Sequence, residues 1–181
     1  MKNLLFVVMA VFVAYFLFFS EEKYELKSSD YGENSTFVHS SHGYSVELPS
    51  KYYQPEEDCP LRTNNLALST YFRAEGDSSM IFVVGEIEGQ FRDHMSENLN
   101  LLESNQIDED QFLKKVANKR AKNKLVSVDG AMVFSSTTVR NNFSSTMVMF
   151  KVDSTLVGFM IAHSARQAKE IQEIVESIAV I

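Results

Sequence analysis

The sequence predicts an α+β domain in which a largely antiparallel β-sheet is covered by helices, an α/β/α arrangement, preceded by an N-terminal hydrophobic helix. Three observations carry this. Strand-like runs come in groups that helices interrupt rather than alternate with, which argues against the parallel sheet of a βαβ chain. The runs are joined by short turn signals, Glu75-Gly76-Asp77-Ser78, Asp129-Gly130 and Asp153-Ser154 among them. The stretch from Ser144 to Val180 reads as a hairpin followed at once by one amphipathic helix, a unit with a sheet face to bury and a helix shaped to cover it.

Taken in order, the chain opens on an apolar run without a charge, Leu4 to Phe19, after Lys2 and before Ser20-Glu21-Glu22. Its sixteen residues would span about 24 Å as a helix at ~1.5 Å each. That falls a little short of a ~30 Å hydrocarbon core, and Met1, Asn3 and Ser20 can extend it. A cleaved secretory signal is the alternative, yet cleavage wants small residues at alternate positions and the run ends Phe16-Leu17-Phe18-Phe19. No cysteine follows that could carry a lipid. The expectation is an uncleaved single-pass anchor over 1–20. Lys2 before the span and two glutamates after it orient the domain to the outer, periplasmic side of the cytoplasmic membrane.

Residues 21–35 are polar and read as a tether, so the domain proper is expected over 36–181. Thr36-Phe37-Val38-His39 and Tyr44-Ser45-Val46-Glu47-Leu48 alternate around Ser41-His42-Gly43 as a first hairpin ended by Pro49. Ser50 to Asn65 is a long irregular loop with Tyr52-Tyr53, Glu56-Glu57-Asp58 and Cys59-Pro60. Loops of that length are often functional, so a binding surface is sought there first. Leu66 to Arg73 and Met80 to Ile87 form the next strand pair. The period then changes: Phe91, Met95, Leu99 and Leu102 give a helix with one buried stripe to Glu103, and Asp108-Glu109-Asp110 opens a second, with Phe112, Val116 and Ile107 facing inward.

Leu125 to Val128 and Ala131 to Val139 pair around Asp129-Gly130, and Asn141-Asn142 turns the chain into the closing hairpin of 145–152 and 155–163. Ser164 with Gln167 is a capping-box signature. Ala168, Ile171, Val175 and Ile178 then form the stripe of the last helix.

The totals bound the function. The chain has 181 residues, 45% hydrophobic and 23% charged, which suits one compact domain with an appendage. A net charge of −7 argues against a phosphate backbone as main partner, because nucleic-acid binders usually show a basic footprint. The basic cluster Lys114, Lys115, Lys119, Arg120, Lys122 and Lys124 is expected as a solvated face near a helix C-terminus, with a site for an acidic partner as the alternative. Cys59 is the sole cysteine, so no intramolecular disulfide forms. It is expected inert and partly buried, with intermolecular pairing outside the cytoplasm as the alternative.

Gly43-Tyr44-Ser45-Val46-Glu47-Leu48-Pro49 followed by Tyr52 and Tyr53, Val128-Asp129-Gly130-Ala131 before a strand, and a last strand and helix ending Ile174-Val175-Glu176-Ser177-Ile178 resemble the PsbP-like α/β/α sandwich family. The resemblance covers about residues 36–180. A tyrosine, Tyr52 or Tyr53, stands where the family often places tryptophan after the proline. Members include an extrinsic subunit of photosystem II, a nuclear-transport factor and bacterial envelope proteins. The resemblance therefore implies a binding or assembly module and leaves the partner open.

Catalytic chemistry finds little support in the residues. No G-x-S-x-G elbow occurs, and in His163-Ser164 the serine is accounted for as a helix cap and the histidine as the end of a strand. His39-x-x-His42, with Glu47 or the 56–58 cluster, offers too few closely spaced ligands for a metal site, so both histidines are expected as exposed polar turn residues. His94, between Asp93 and Glu97, reads as part of a solvated face. Gly76, Gly85, Gly89 and Gly130 make no phosphate loop, and Asn34-Ser35-Thr36 and Asn142-Phe143-Ser144 fit the glycosylation sequon. No catalytic residue, metal or cofactor is expected. The chain reads as a membrane-tethered, extracytoplasmic, non-enzymatic module that binds a protein or envelope component. The alternative is a secreted lipid- or small-ligand-binding domain.

Overall fold

The structure, a computed structural model, describes residues 24–28, 34–61, 66–140 and 143–181. The anchor expected over 1–20 lies outside them. Among the described residues no helix is long and apolar enough to cross a membrane.

Eleven strands and three helices follow in the described chain. They are β1 (Tyr24–Ser28), β2 (Asn34–His39), β3 (Tyr44–Pro49), β4 (Tyr52–Tyr53), β5 (Leu66–Ala74) and β6 (Met80–Ile87), then α1 (Gly89–Glu103) and α2 (Glu109–Val116). After these come β7 (Lys122–Val128), β8 (Ala131–Arg140), β9 (Phe143–Val152), β10 (Thr155–Ser164), α3 (Ala168–Glu176) and β11 (Ala179–Val180). Every pairing is antiparallel. The seven-stranded sheet, ordered β4-β5-β6-β10-β9-β8-β7, consists of two meanders joined where β6 meets β10. The expected antiparallel α+β architecture is therefore present.

Successive side chains of a strand point to opposite faces, and this divides the core in two. Val84, Met149, Leu156 and Phe134 face α1 and α2 and bury Met95, Leu99 and Phe112 beneath them. Val83, Phe150, Val157 and Val133 face the other way, onto Phe37, Tyr44, Val46 and Leu48 and onto Ile171, Ile174 and Val175 of α3. The second face is thus covered by one helix together with a small sheet, ordered β1-β2-β3-β11, which the sequence reading had not separated from the large one.

Several local details differ from expectation. Tyr24–Ser28, inside the segment read as a tether, pairs with β2 along its whole length. Phe91, placed on the buried stripe of α1, is 48% exposed because the helix starts at Gly89 and its first turn stands clear of the stripe that Met95, Leu99 and Leu102 bury. The last helix stops at Glu176, two residues before Ile178. There the Ser177 hydroxyl donates to the Ile174 carbonyl at 2.8 Å and accepts the Glu47 amide at 2.9 Å, which fastens the chain to β3 and leads it into β11.

The capping box read at Ser164 forms, and Asp108, read only as part of an acidic first turn, forms a second one with Gln111. Asp108 accepts the Gln111 amide at 2.8 Å while Gln111 accepts the Asp108 amide at 3.0 Å. Ser164 donates its amide to Gln167 Oε1 at 2.8 Å, over a 3-10 turn (Ala165–Gln167) that precedes α3.

Candidate functional site

The long loop after β3 proves to be anchored at its beginning. Tyr52 pairs with Ala74 through β4, and alternation turns its ring inward, where it is 2% exposed, while Tyr53 beside it stays 48% exposed. The Tyr52 hydroxyl donates to Glu170 Oε1 of α3 at 3.0 Å. Lys51 Nζ lies 2.6 Å from the other oxygen of Glu170 and 3.5 Å from Asp77 in the β5–β6 turn. Gln167 completes the clamp by donating to Asp77 at 3.1 Å and accepting the Ser79 hydroxyl at 2.7 Å.

Burial pushes the Tyr52 phenol upward, and the Glu170 carboxylate beside it adds to that shift. Burial also raises the Asp77 carboxyl, but hydrogen bonds from Ser79 and the neighbouring Lys51 outweigh it and hold the group below its ordinary range. The rest of the loop carries Glu56, Glu57 and Asp58 in solvent and Cys59 half-buried, with its thiol 3.7 Å from the Leu61 carbonyl. Residues 62–65 lie outside the described chain.

His39 corrects the expectation of an exposed turn residue. It is fully buried, because it follows Phe37 at a spacing of two on the inward face of β2. Its Nε2 lies 3.0 Å from the Ser69 hydroxyl and its Nδ1 3.1 Å from that of Ser41, and its ring packs against Tyr44 at 5.2 Å and His42 at 4.6 Å. Glu47 sits on the outward face of β3, facing Asn34, and the 56–58 carboxylates are exposed in the loop. Among the described residues no three His, Cys, Asp or Glu side chains gather closely enough to hold a metal ion.

His163 is 2% exposed and belongs to a chain of hydrogen bonds that crosses three strands. Its Nδ1 lies 2.8 Å from the Ser164 carbonyl, an acceptor only, so Nδ1 carries a proton, and the neutral ring leaves Nε2 as an acceptor. Nε2 then accepts the Thr146 hydroxyl at 2.9 Å, and Thr146 accepts that of Thr137 at 2.8 Å. The Ser164 hydroxyl is directed to Gln167 at 2.9 Å, so the His-Ser dipeptide forms a strand end and a cap. Over this chain, between β7–β10 and α3, lies a cavity of about 80 Å³ bordered by Lys124, Thr137, Thr146, His163, Ile171 and Gln172. Its lining includes neither Phe nor Met, and no residue of the Tyr52-Tyr53 loop. A second, open groove of about 390 Å³ runs between residues 40–43, 152–155 and 180–181.

The remaining candidates are superficial. His94 is exposed, 3.4 Å from the Lys115 carbonyl, and Asp93 pairs with Arg92. All six basic residues of 114–124 are exposed, but they are distributed over the end of α2, the following loop and the edge strand β7. Charges on an edge strand discourage pairing with another sheet. Sequence reasoning singled out Tyr52 and His163 but missed Glu170, Asp77, Thr137 and Thr146, the partners that give those two residues their settings.

No family model matches the chain, and no curated protein matches it. Among solved structures the chain is similar to the cyanobacterial PsbP, CyanoP, of Synechocystis sp. PCC 6803. The identity is 11% over 86% of this chain and 98% of that one, with a TM-score of 0.48. It is also similar to a protein of Bacteroides thetaiotaomicron VPI-5482, 12% identical over 83% of this chain and 49% of that one, again with a TM-score of 0.48. At these identities and TM-scores no residue role passes between the chains.

Proposed function

We propose that the protein is a non-enzymatic binding or assembly module held on the outer face of the cytoplasmic membrane by residues 4–19, with a protein or envelope component as its partner. The observation that carries the reading is that uncharged apolar run, long enough with its neighbours to cross a bilayer and lacking the small residues of a cleavage site. The engagement of the interior polar side chains supports the non-enzymatic part. Both ring nitrogens of His163 and of His39 sit on internal partners, and Tyr52 and Glu170 hold a loop to a helix. The net charge of −7 keeps nucleic acid out of the account.

Fractionation of the full-length protein in its native host tests the anchor. Retention in the membrane pellet through carbonate extraction is expected. Release of the intact chain into the supernatant would sink the tethered reading in favour of a secreted domain. Crosslinking in native membranes, read by mass spectrometry, then identifies the partner.

A further inference from the structure

The strand registers gather several segments at one pole of the molecule. Tyr24 faces His39, His39 faces Tyr44, and Tyr44 faces Val180. The Ile181 amide donates to the Gly43 carbonyl at 2.8 Å, and Gly43 lies against Val152. The start of β1, turn 40–43, turn 153–154 and residues 180–181 therefore share one end of both sheets.

The other end is equally defined. Arg140 and Ser164 both face Phe143, and the Glu75 amide donates to the Lys51 carbonyl at 2.7 Å, so turn 75–79, the end of β8 at Arg140, the start of β9 at Phe143 and the start of α3 lie together there. The ten residues of β10 separate the two poles by about 30 Å at ~3.3 Å per residue.

Covalent length ties the first pole to the apolar run. Five Cα steps from Phe19 to Tyr24 reach at most about 18 Å, and the headgroup layer on one side of a bilayer occupies roughly 6 Å of that. We infer that the pole formed by Tyr24, turns 40–43 and 153–154, and residues 180–181 faces the outer bilayer surface, within about 12 Å of the headgroups. The opposite pole, with Arg140, Phe143 and turn 75–79, is then presented about 30 Å further out. Val180 and Ile181, 38% and 74% exposed, place apolar surface at the membrane-facing end. The inference rests on the anchor proposed above and adds an orientation to it.

Single cysteines in full-length protein carrying Cys59→Ser test the orientation. Ser40→Cys and Ser154→Cys mark the near pole, and Arg140→Cys and Ser78→Cys the far one, all four at exposed positions. Each is labelled with a donor fluorophore and reconstituted into phosphatidylethanolamine–phosphatidylglycerol vesicles containing a lipid-bound acceptor. Energy transfer from positions 40 and 154 is expected to exceed that from 140 and 78 about twofold or more. Two pairs of positions guard against one variant that fails to fold. Equal or reversed transfer in protein that resists carbonate overturns the orientation and leaves the anchor standing. Protein that carbonate strips from the vesicles overturns the anchor, and the orientation with it.

Discussion

The hydroxyl of Tyr52 donates to the Glu170 carboxylate at 3.0 Å across 118 positions of sequence, and this bond fastens the loop after β3 to the last helix. Tyr52→Phe removes the donor and leaves the Lys51–Glu170 ion pair in place. A hydrogen bond to a charged acceptor contributes about 1.5–3 kcal/mol, and the 24% exposure of the Glu170 side chain places this one at the lower end. A loss of ~1.5 kcal/mol lowers Tm by roughly 3–6 °C in a domain of this size. Thermal unfolding followed by circular dichroism measures it, and an unchanged Tm would show that the bond contributes nothing.

The same clamp sets a pH dependence. The folded-state pKa of Tyr52 is raised above the ordinary 10.0, by burial first and by Glu170 next, so its contribution to stability is fully present below pH 10 and declines as pH rises beyond it. Asp77 is shifted the opposite way. Its folded-state pKa is held below 3.8, so its contribution is present above that pH and is lost as acid titrates it. The stability deficit of Tyr52→Phe is therefore expected to shrink between neutral and alkaline pH. Urea titrations at the two pH values test this, and a constant deficit would contradict it.

Thr146 stands between two partners, donating to His163 and accepting from Thr137. Thr146→Val fills the same volume but leaves the buried Nε2 of His163 without a donor, which costs about 1–3 kcal/mol. Thr146→Ser restores the hydroxyl and should recover most of the loss. Thr137→Val should cost less, because the bond from Thr146 to His163 survives it. Denaturant midpoints that fall equally for all three variants would argue that packing, and not the hydrogen-bond chain, governs the site.

Part of this site was legible and part was not, for physical reasons. The register that pairs Arg140 with Phe143 sets Thr137 opposite Thr146, and the turn Asp153-Ser154 likewise sets Ser144 opposite His163. Turn chemistry alone could thus have brought the three polar residues together. His39 could also have been read as interior, since it shares the inward face of β2 with Phe37. Its neighbours Ser40 and Ser41 made it look like part of the turn. The Tyr52–Glu170 clamp could not be read, because nothing local relates a loop to a helix that tertiary packing alone brings beside it. The strand β11 was hidden for another reason: two residues carry no period, and Ile178 continued the apparent stripe of the helix.

Asp108 offers a local test of helix formation. Its side chain accepts the Gln111 amide at 2.8 Å at the start of an eight-residue helix, a length that is marginal without caps and packing. Asp108→Ala is expected to cost about 1 kcal/mol, whereas Asp108→Ser should be close to neutral. Hydrogen exchange at the amides of 109–112 reads the effect directly. Protection unchanged in the alanine variant would mean that Phe112, buried under β8, holds the helix without its cap.

Gly158 makes the most demanding prediction for the fold. It sits on β10 between β9 and β6, opposite Met149 and Val84, in the middle of the large sheet. A Cβ there would overlap the carbonyl oxygen of Val148 and approach Met149 Cα to 3.1 Å, so the obstruction is backbone, which no rotamer change relieves. Overpacking usually costs about 1–3 kcal/mol, and with two central strands forced apart Gly158→Ala is expected at or above the upper end. Gly130 provides the contrast: its φ is +84° and a Cβ would meet nothing within 4 Å, so Gly130→Ala carries only the left-handed backbone cost of about 1–2 kcal/mol. One glycine is required for space and the other for its dihedral. Urea midpoints should fall further for Gly158→Ala than for Gly130→Ala, and the reverse order would mean that β9 and β10 do not approach as closely as this register places them.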